Sequence, residues 1–292
     1  MPPADAHPSP APPQPLLVVR DLKVWFPRHS GVLGRVSGQA KAVDGVSFDV
    51  APGETLGLVG ESGCGKTTVG RAILRLIPPT SGSVRFDGRD VLTATGAQLR
   101  ELRRQMQIVF QDPAGSLNPR MTICQTITEP MLVHRLCRGA KEARAEAASL
   151  LERCGMPADS LDRYPHEFSG GQRQRITIAR ALALKPRFIV CDEPTSALDV
   201  SIQAQVLNLL SDLRDQFKLN YLFISHDMGV ISHIADRVAV MQGGRIVESG
   251  TREQVLNRPE HSYTRSLLAA VPTLDPARSR WSGVRKRTVA LD

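Results

Sequence analysis

Apolar and polar positions along the chain change period several times, and each change marks an element. Leu16–Val24 and Ala42–Val50 alternate apolar with polar side chains, the two-residue period of half-buried strands. A Gly-containing loop from Arg28 to Lys41 is expected between them, so the pair reads as an antiparallel β region. Thr55–Val59 is a short apolar strand that runs straight into glycines. A helical pattern follows from Lys66 to Ile77, stopped by Pro78-Pro79. Ile108–Phe110 is a further strand. From Met121 to about Arg163 the strand signals vanish, and Lys141–Cys154 sets Ala143, Ala147, Leu150, Leu151 and Cys154 on one helical face. An inserted helical subdomain over about 121–165 is therefore expected. Beyond it come a helix from about Gly171 to Leu184, a buried strand at Phe188–Cys191, a helix to about Phe217 and a strand at Tyr221–Ser225. Strands alternating with helices imply a parallel sheet, and with the antiparallel region the class is α/β with a mixed sheet core. Arg237–Ser249 reads as a hairpin turned at Gly243-Gly244, and Thr251-Arg252-Glu253-Gln254 has the spacing of a capping box. No internal repeat appears, so one domain is expected over 16–271.

Composition narrows this picture without redirecting it. A chain of 292 residues with 41% apolar content can fill a real core. Residues 1–15 carry proline at nearly every second or third position and read as a disordered leader. Apolar stretches such as Phe188–Cys191 and Leu267–Val271 fall far short of the roughly 18 to 20 residues that cross a bilayer. The start of the chain lacks a basic segment followed by an apolar run, so a cytoplasmic address is expected. Cys64, Cys124, Cys137, Cys154 and Cys191 are scattered, odd in number and free of any CxxC pair, and read as free thiols. A net charge of +8 is spread among acids, with three Tyr and two Trp available for base stacking. It reads as a solvated basic surface, and no nucleic-acid partner is expected. Arg278, Arg280, Arg285, Lys286 and Arg287 form a denser cluster in a basic tail, within a C-terminal extension over 259–292.

The chemistry starts at Gly60-Glu61-Ser62-Gly63-Cys64-Gly65-Lys66-Thr67-Thr68, which fits G-x-x-x-x-G-K-[ST]. Glycines let the backbone curl so that N–H groups face phosphates, and the start of the following helix adds positive potential. Lys66 is expected to reach the β- and γ-phosphates and Thr67 to ligate Mg²⁺. Such a match arises by chance in a chain of this length on the order of once in a hundred, and its strand-loop-helix setting lowers that further. Phe188–Cys191 then delivers Asp192 and Glu193 to the C-terminal end of an apolar strand, where open α/β sheets hold their ligands. Alone, two acids after a strand merely begin a turn. Beside a phosphate loop they suit a Mg²⁺ ligand, Asp192, and a group that polarises the attacking water, Glu193.

With these residues in view, the stretch from about Leu16 to Val271 resembles the ATP-binding cassette (ABC) family of P-loop ATPases. The resemblance implies two cassettes closing face to face around ATP. It makes Gln111 the residue that senses the γ-phosphate and Mg²⁺ and touches a membrane partner. Ser169, Gly170, Gly171 and Gln172 match the family signature, which meets the ATP held by the opposite subunit. Ser196-Ala197-Leu198-Asp199 matches the segment that communicates between the two sites, and His226 matches the switch histidine. Phe26, with Trp25 beside it, is the candidate for stacking on adenine; a buried core aromatic is the competing reading. Taken singly, a Gln after a strand is usually solvated and a His there is usually structural. Their shared order carries the resemblance.

An ATPase subunit of an importer is the leading expectation. A soluble ABC switch acting on DNA or ribosomes is a rival, set back by the uninterrupted cassette and the lack of sustained heptads. A small-molecule kinase is another, set back by Ser169–Gln172 and Asp199. Within the family, the run Gln111-Asp112-Pro113 through Thr122, the loop sequence GESGCGKTT and the tail His261–Pro272 are similar to the dipeptide/oligopeptide and nickel uptake group. That implies a second, non-identical ATPase chain, two membrane permeases, an external substrate-binding protein, and a peripheral place on the cytoplasmic face of the inner membrane. Some partner ATPases of this group carry an iron–sulfur site on C-terminal cysteines; this chain has none after Cys191, so no cluster is expected. Peptide is preferred as cargo over nickel, glutathione, opines or oligosaccharides by frequency within the group.

Overall fold

The computed structural model describes residues 14–30 and 35–270. Most of the proline-rich leader, the basic cluster and the end of the His261–Pro272 tail lie outside them. Strands β1 (Leu17–Ser30) and β2 (Arg35–Val50) pair antiparallel. The ribbon replaces most of the loop expected over 28–41, with register running from Phe26 opposite Ala40 to Ser30 opposite Arg35. Phe26, Pro27, Gly38 and Gln39 are exposed, so these four positions imprint no apolar alternation. Strand β3 (Thr55–Val59) leads through the glycine-rich segment to helix α1 (Lys66–Ile73). The helix ends four residues before the expected Ile77. Arg75 turns left-handed at φ 52°, and the N–H of Leu76 reaches the Arg71 carbonyl at 2.8 Å. The Arg75 guanidinium is anchored on the Ala94 carbonyl at 2.6 Å, a contact with a distant segment that overrides local helix propensity.

Strands β4 (Ser81–Phe86) and β5 (Arg89–Asp90) extend the first sheet to the order β2-β1-β4-β5, and α2 (Gly96–Gln105) follows. Strand β6 (Met106–Val109) enters the second sheet. A single turn, α3 (Pro113–Ser116), then leads to α4 (Ile123–Val133) and α5 (Ala140–Arg153). On α5 and its cap, Ala143, Ala147, Leu150, Leu151 and Cys154 are all buried, the face read from the sequence. Helix α6 (Gly170–Leu182) runs into β7 (Phe188–Asp192), α7 (Val200–Phe217), β8 (Asn220–Ser225) and α8 (Met228–Ile234). The hairpin β9 (Arg237–Gln242) and β10 (Arg245–Thr251) comes next, then α9 (Arg252–Asn257) and α10 (Ser262–Ala270). Thr251 and Gln254 form the anticipated reciprocal cap, with bonds of 2.9 and 3.2 Å.

The second sheet has the order β10-β9-β3-β8-β7-β6, parallel except at its β10 edge. Every residue of β3, β7 and β8 is buried, as a parallel sheet covered on both faces requires. One apolar cluster lies beneath the antiparallel sheet and α1; the other joins the remaining face to α4–α7 and the C-terminal helices. All five cysteines are free thiols. Burial pushes the Cys154 thiol up to about 12 and raises Cys191 as well, which leaves both unreactive near neutrality. No helix of the described residues is long and apolar enough to cross a membrane.

Candidate functional site

Four neighbouring parallel strands deliver the candidate residues to one edge of the sheet. The phosphate loop follows β3, His226 follows β8, Asp192 and Glu193 close β7, and Gln111 lies just past β6. Parallel strands share one direction, so their C-terminal ends open on a common crevice. There a cavity of about 340 Å³ is lined by Ala42, Ser62, Gly63, Gly65, Lys66, Thr67, Thr68, Gln111 and Glu193.

The loop's glycines answer to close packing. A Cβ on Gly60 would stand 2.1 Å from the Met241 carbonyl oxygen, and one on Gly65 equally close to that of Ala42, where φ is also 108°. Inside this cradle the Lys66 side chain is buried and folds back, its Nζ donating to the carbonyls of Gly60 at 2.6 Å and Glu61 at 2.9 Å. The β9–β10 turn ties the loop down, because the Gly244 N–H donates to the Cys64 carbonyl at 3.1 Å. Cys64 itself is half-buried and packs on the core beneath the loop, its sulfur 3.7 Å from Lys66 Nζ, and it does not line the cavity.

At the far wall the Thr67 hydroxyl donates to Asp192 Oδ1 at 2.7 Å. Asp192 is 1% exposed, and burial raises its carboxyl above the ordinary range against the opposing pull of the Thr67 bond, Arg71 and Lys66. Two hard oxygen donors side by side, one of them a buried carboxylate, fit a Mg²⁺ site. Glu193 adopts φ 48°, unusual for a residue with a Cβ, and its N–H is held by the Ile224 carbonyl at 3.0 Å. Its Oε2 accepts from Gln111 Nε2 at 3.1 Å and faces His226 Nδ1 at 3.2 Å, which requires the proton on Nδ1.

The raised Asp192 carboxyl carries a stability prediction. A folded state that holds the proton more tightly than the unfolded chain is destabilised by ionisation, a penalty present at neutral pH and relieved as pH falls through the folded pKa. Asp192→Asn keeps an acceptor for Thr67 and removes the charge. In nucleotide-free protein with chelator, it raises Tm at pH 7 by a few degrees, and the gain shrinks at lower pH. An unchanged or lower Tm at pH 7, read by calorimetry, contradicts this account.

Other candidates stand apart from the cavity. Ser169 caps α6, its Oγ accepting from the Gln172 N–H at 3.4 Å while Gln172 Oε1 accepts from the Ser169 N–H at 3.0 Å. None of the four signature residues lines the cavity, and Ser169, Gly170 and Gln172 are exposed. Asp199 is exposed at the start of α7, which packs on α6. Phe26 is 40% exposed on β1 and also outside the lining, whereas Trp25 lies under the Lys41 ammonium, 4.5 Å from its ring centre. Ala42 and Met241, which wall the loop, carry no sequence signal, since their contribution is a backbone carbonyl.

A family model described as ABC transporter matches residues 43–196. The chain belongs to the ABC transporter family. A second model, the C-terminal region of oligopeptide/dipeptide transporters, matches residues 247–291 of this cassette. The glutathione import ATP-binding protein GsiA of Pectobacterium atrosepticum is 54% identical over 276 residues, 94% of this chain and 44% of that protein. GsiA of Escherichia coli K12 is 55% identical over 267 residues, 91% of this chain and 43% of that protein. The cassette thus spans under half the length of these relatives. Among solved structures, the ATP-binding cassette MJ0796, dimeric in a post-hydrolysis state with ADP and Pi, matches with TM-score 0.70 at 27% identity over 81% of this chain and 98% of that one. CbiO1 of Clostridium perfringens, part of the transporter complex cbiONQ, matches with TM-score 0.71 at 25% identity over 88% and 96%. The fold is that of an ABC cassette, the α/β class expected from the sequence.

Proposed function

We propose that this cassette is the ATPase subunit of an importer of short peptides, glutathione-like tripeptides among them. It hydrolyses ATP at an interface with a second cassette and drives separate membrane permeases from the cytoplasmic face of the inner membrane. The observation that carries the ATPase reading is the convergence of Lys66, Thr67, Asp192, Glu193, Gln111 and His226 on one sheet edge. The match of residues 247–291 to the oligopeptide/dipeptide transporter region supports the cargo class, as do the glutathione importers among the relatives; none of these favours nickel.

Each residue has a part. Amides of residues 62–68 and the Lys66 ammonium bind the phosphates, the lysine giving up the Glu61 carbonyl for a phosphate oxygen while it keeps that of Gly60. Thr67 and Asp192 would hold Mg²⁺, with Gln111 at its margin, and the ion would supply positive charge to offset that of the phosphates. Glu193 orients water, and His226 and Gln111 fix its carboxylate. Phe26, 40% exposed on β1, is the ring assigned to adenine. Ser169–Gln172 and Asp199 serve the composite site described by the family resemblance. A groove of about 460 Å³ beside β6 and α4, lined by Phe110, Glu129, Val133, His134 and Arg180 among others, receives the permease next to Gln111. An external substrate-binding protein supplies the cargo.

The cargo is tested by deletion. A strain lacking this gene loses uptake of labelled di- and tripeptides, glutathione included, while uptake of free amino acids continues. Intact peptide and glutathione uptake, in a strain with no paralogous cassette expressed, refutes the proposal.

A further inference from the structure

The C-terminal helix reaches the phosphate loop. Tyr263, on α10, is 9% exposed, and its hydroxyl accepts from the Glu61 N–H at 3.0 Å across 202 residues of sequence. That N–H belongs to the peptide unit whose other end is the Gly60 carbonyl, and the Gly60 carbonyl accepts from Lys66 Nζ at 2.6 Å. In a trans peptide the N–H and C=O point to opposite sides of one rigid plane. Tyr263 therefore grips one side of the plane and Lys66 the other. The plane adjoins Gly60, a residue with little intrinsic resistance to rotation.

Tyr263 is itself carried on a braced segment. Both oxygens of the Glu248 carboxylate, on β10, accept backbone donors: Oε1 from the Glu260 N–H at 2.8 Å and Oε2 from the His261 N–H at 3.1 Å. The Arg265 guanidinium donates to the carbonyls of Pro259 at 3.1 Å and Glu260 at 2.8 Å. His261 Nδ1 accepts from the Tyr263 N–H at 3.2 Å. Such an array holds one side chain at a defined height above the loop.

We propose that Tyr263 is a positioning residue for nucleotide binding: it fixes the Gly60–Glu61 peptide plane, and through it the Lys66 ammonium, so that phosphate affinity depends on the docked C-terminal helix. This rests on the ATPase reading above and adds to it a link between the extension and the loop. Tyr263→Phe removes the hydroxyl and keeps the packed ring. The loss of one hydrogen bond corresponds to about a five-fold change in affinity.

The experiment titrates the full-length wild type and Tyr263→Phe with fluorescent ATP and ADP analogues, and measures steady-state hydrolysis of MgATP. Tyr263→Phe is expected to raise Kd for both nucleotides and KM for ATP about five-fold, with kcat within two-fold, roughly, and the affinity for adenosine unchanged. A Tyr263→Phe protein that melts earlier but binds ATP with wild-type affinity assigns the tyrosine to packing and overturns the proposal. An equal loss for adenosine does so too, since adenosine has no phosphate for the loop to hold. If wild type itself fails to bind ATP, the ATPase reading falls and the inference with it. Should Tyr263→Phe fail to fold, Glu248→Ala releases the Glu260 and His261 amides and carries the same test.

Discussion

Glu193→Gln stops turnover and leaves ATP bound. The glutamate sits at the end of β7 with its carboxylate inside the cleft, one oxygen shared between Gln111 and His226. A glutamine has the same length and still presents one carbonyl oxygen to one of those partners, so the local geometry persists. What disappears, on the role proposed above for Glu193, is the basicity that draws a proton from water as it attacks the γ-phosphate. Loss of a positioned general base costs roughly 10² to 10⁴ in rate. Nucleotide affinity changes little, because the proposed phosphate contacts belong to the loop and Lys66, which the substitution leaves untouched. Steady-state phosphate release together with nucleotide titration checks both halves. A variant hydrolysing ATP near the wild-type rate removes Glu193 from the role given to it, and one that no longer binds ATP shows that the side chain builds the site.

Legibility in the sequence followed burial. Strands β3, β7 and β8 are buried along their whole length, and that condition writes itself as a mostly apolar run with polar residues at the strand ends. Helix α5 covers its neighbours with one stripe, and the stripe showed at a 3.6-residue period. The β1–β2 ribbon beyond Trp25 left no such trace at Phe26, Pro27, Gly38 and Gln39, which are exposed. The end of α1 was hidden for another reason: Arg75 turns the chain where its guanidinium meets the carbonyl of Ala94, a partner 19 residues away. The site divides in the same manner. Its side chains belong to short motifs and could be named in advance, but the order β3-β8-β7-β6 that gathers them is a property of the sheet. Tyr263 was invisible as a site residue, since a lone tyrosine in an amphipathic tail looks like packing until its hydroxyl is seen on the Glu61 amide.

The exposed start of α6 leads to the second large effect. The first N–H groups of a helix have no partner within it, and the reciprocal bonds between Ser169 and Gln172 satisfy only some of them. The amides of Gly170 and Gly171 are thus left as donors at a positive helix end, on a face that does not line the cell of its own phosphate loop. Donors so placed suit the phosphates of an ATP presented by another cassette. Ser169→Arg sets a long cation across those amides, adds positive charge where the helix end is already positive, and removes the cap. In the assembled transporter it abolishes hydrolysis at the site it faces, a fall of at least roughly 10² in turnover. The isolated chain retains its affinity for ATP, because its own loop, Lys66 and Thr67 are untouched. Ser169→Ala separates the causes: it loses the cap, costing about 1 kcal/mol of stability, without blocking the amides, and keeps most of the activity. Affinity lost by isolated Ser169→Arg, with its melting temperature unchanged, would mean that signature and phosphate loop of one chain share one nucleotide, and the composite site would have to be abandoned.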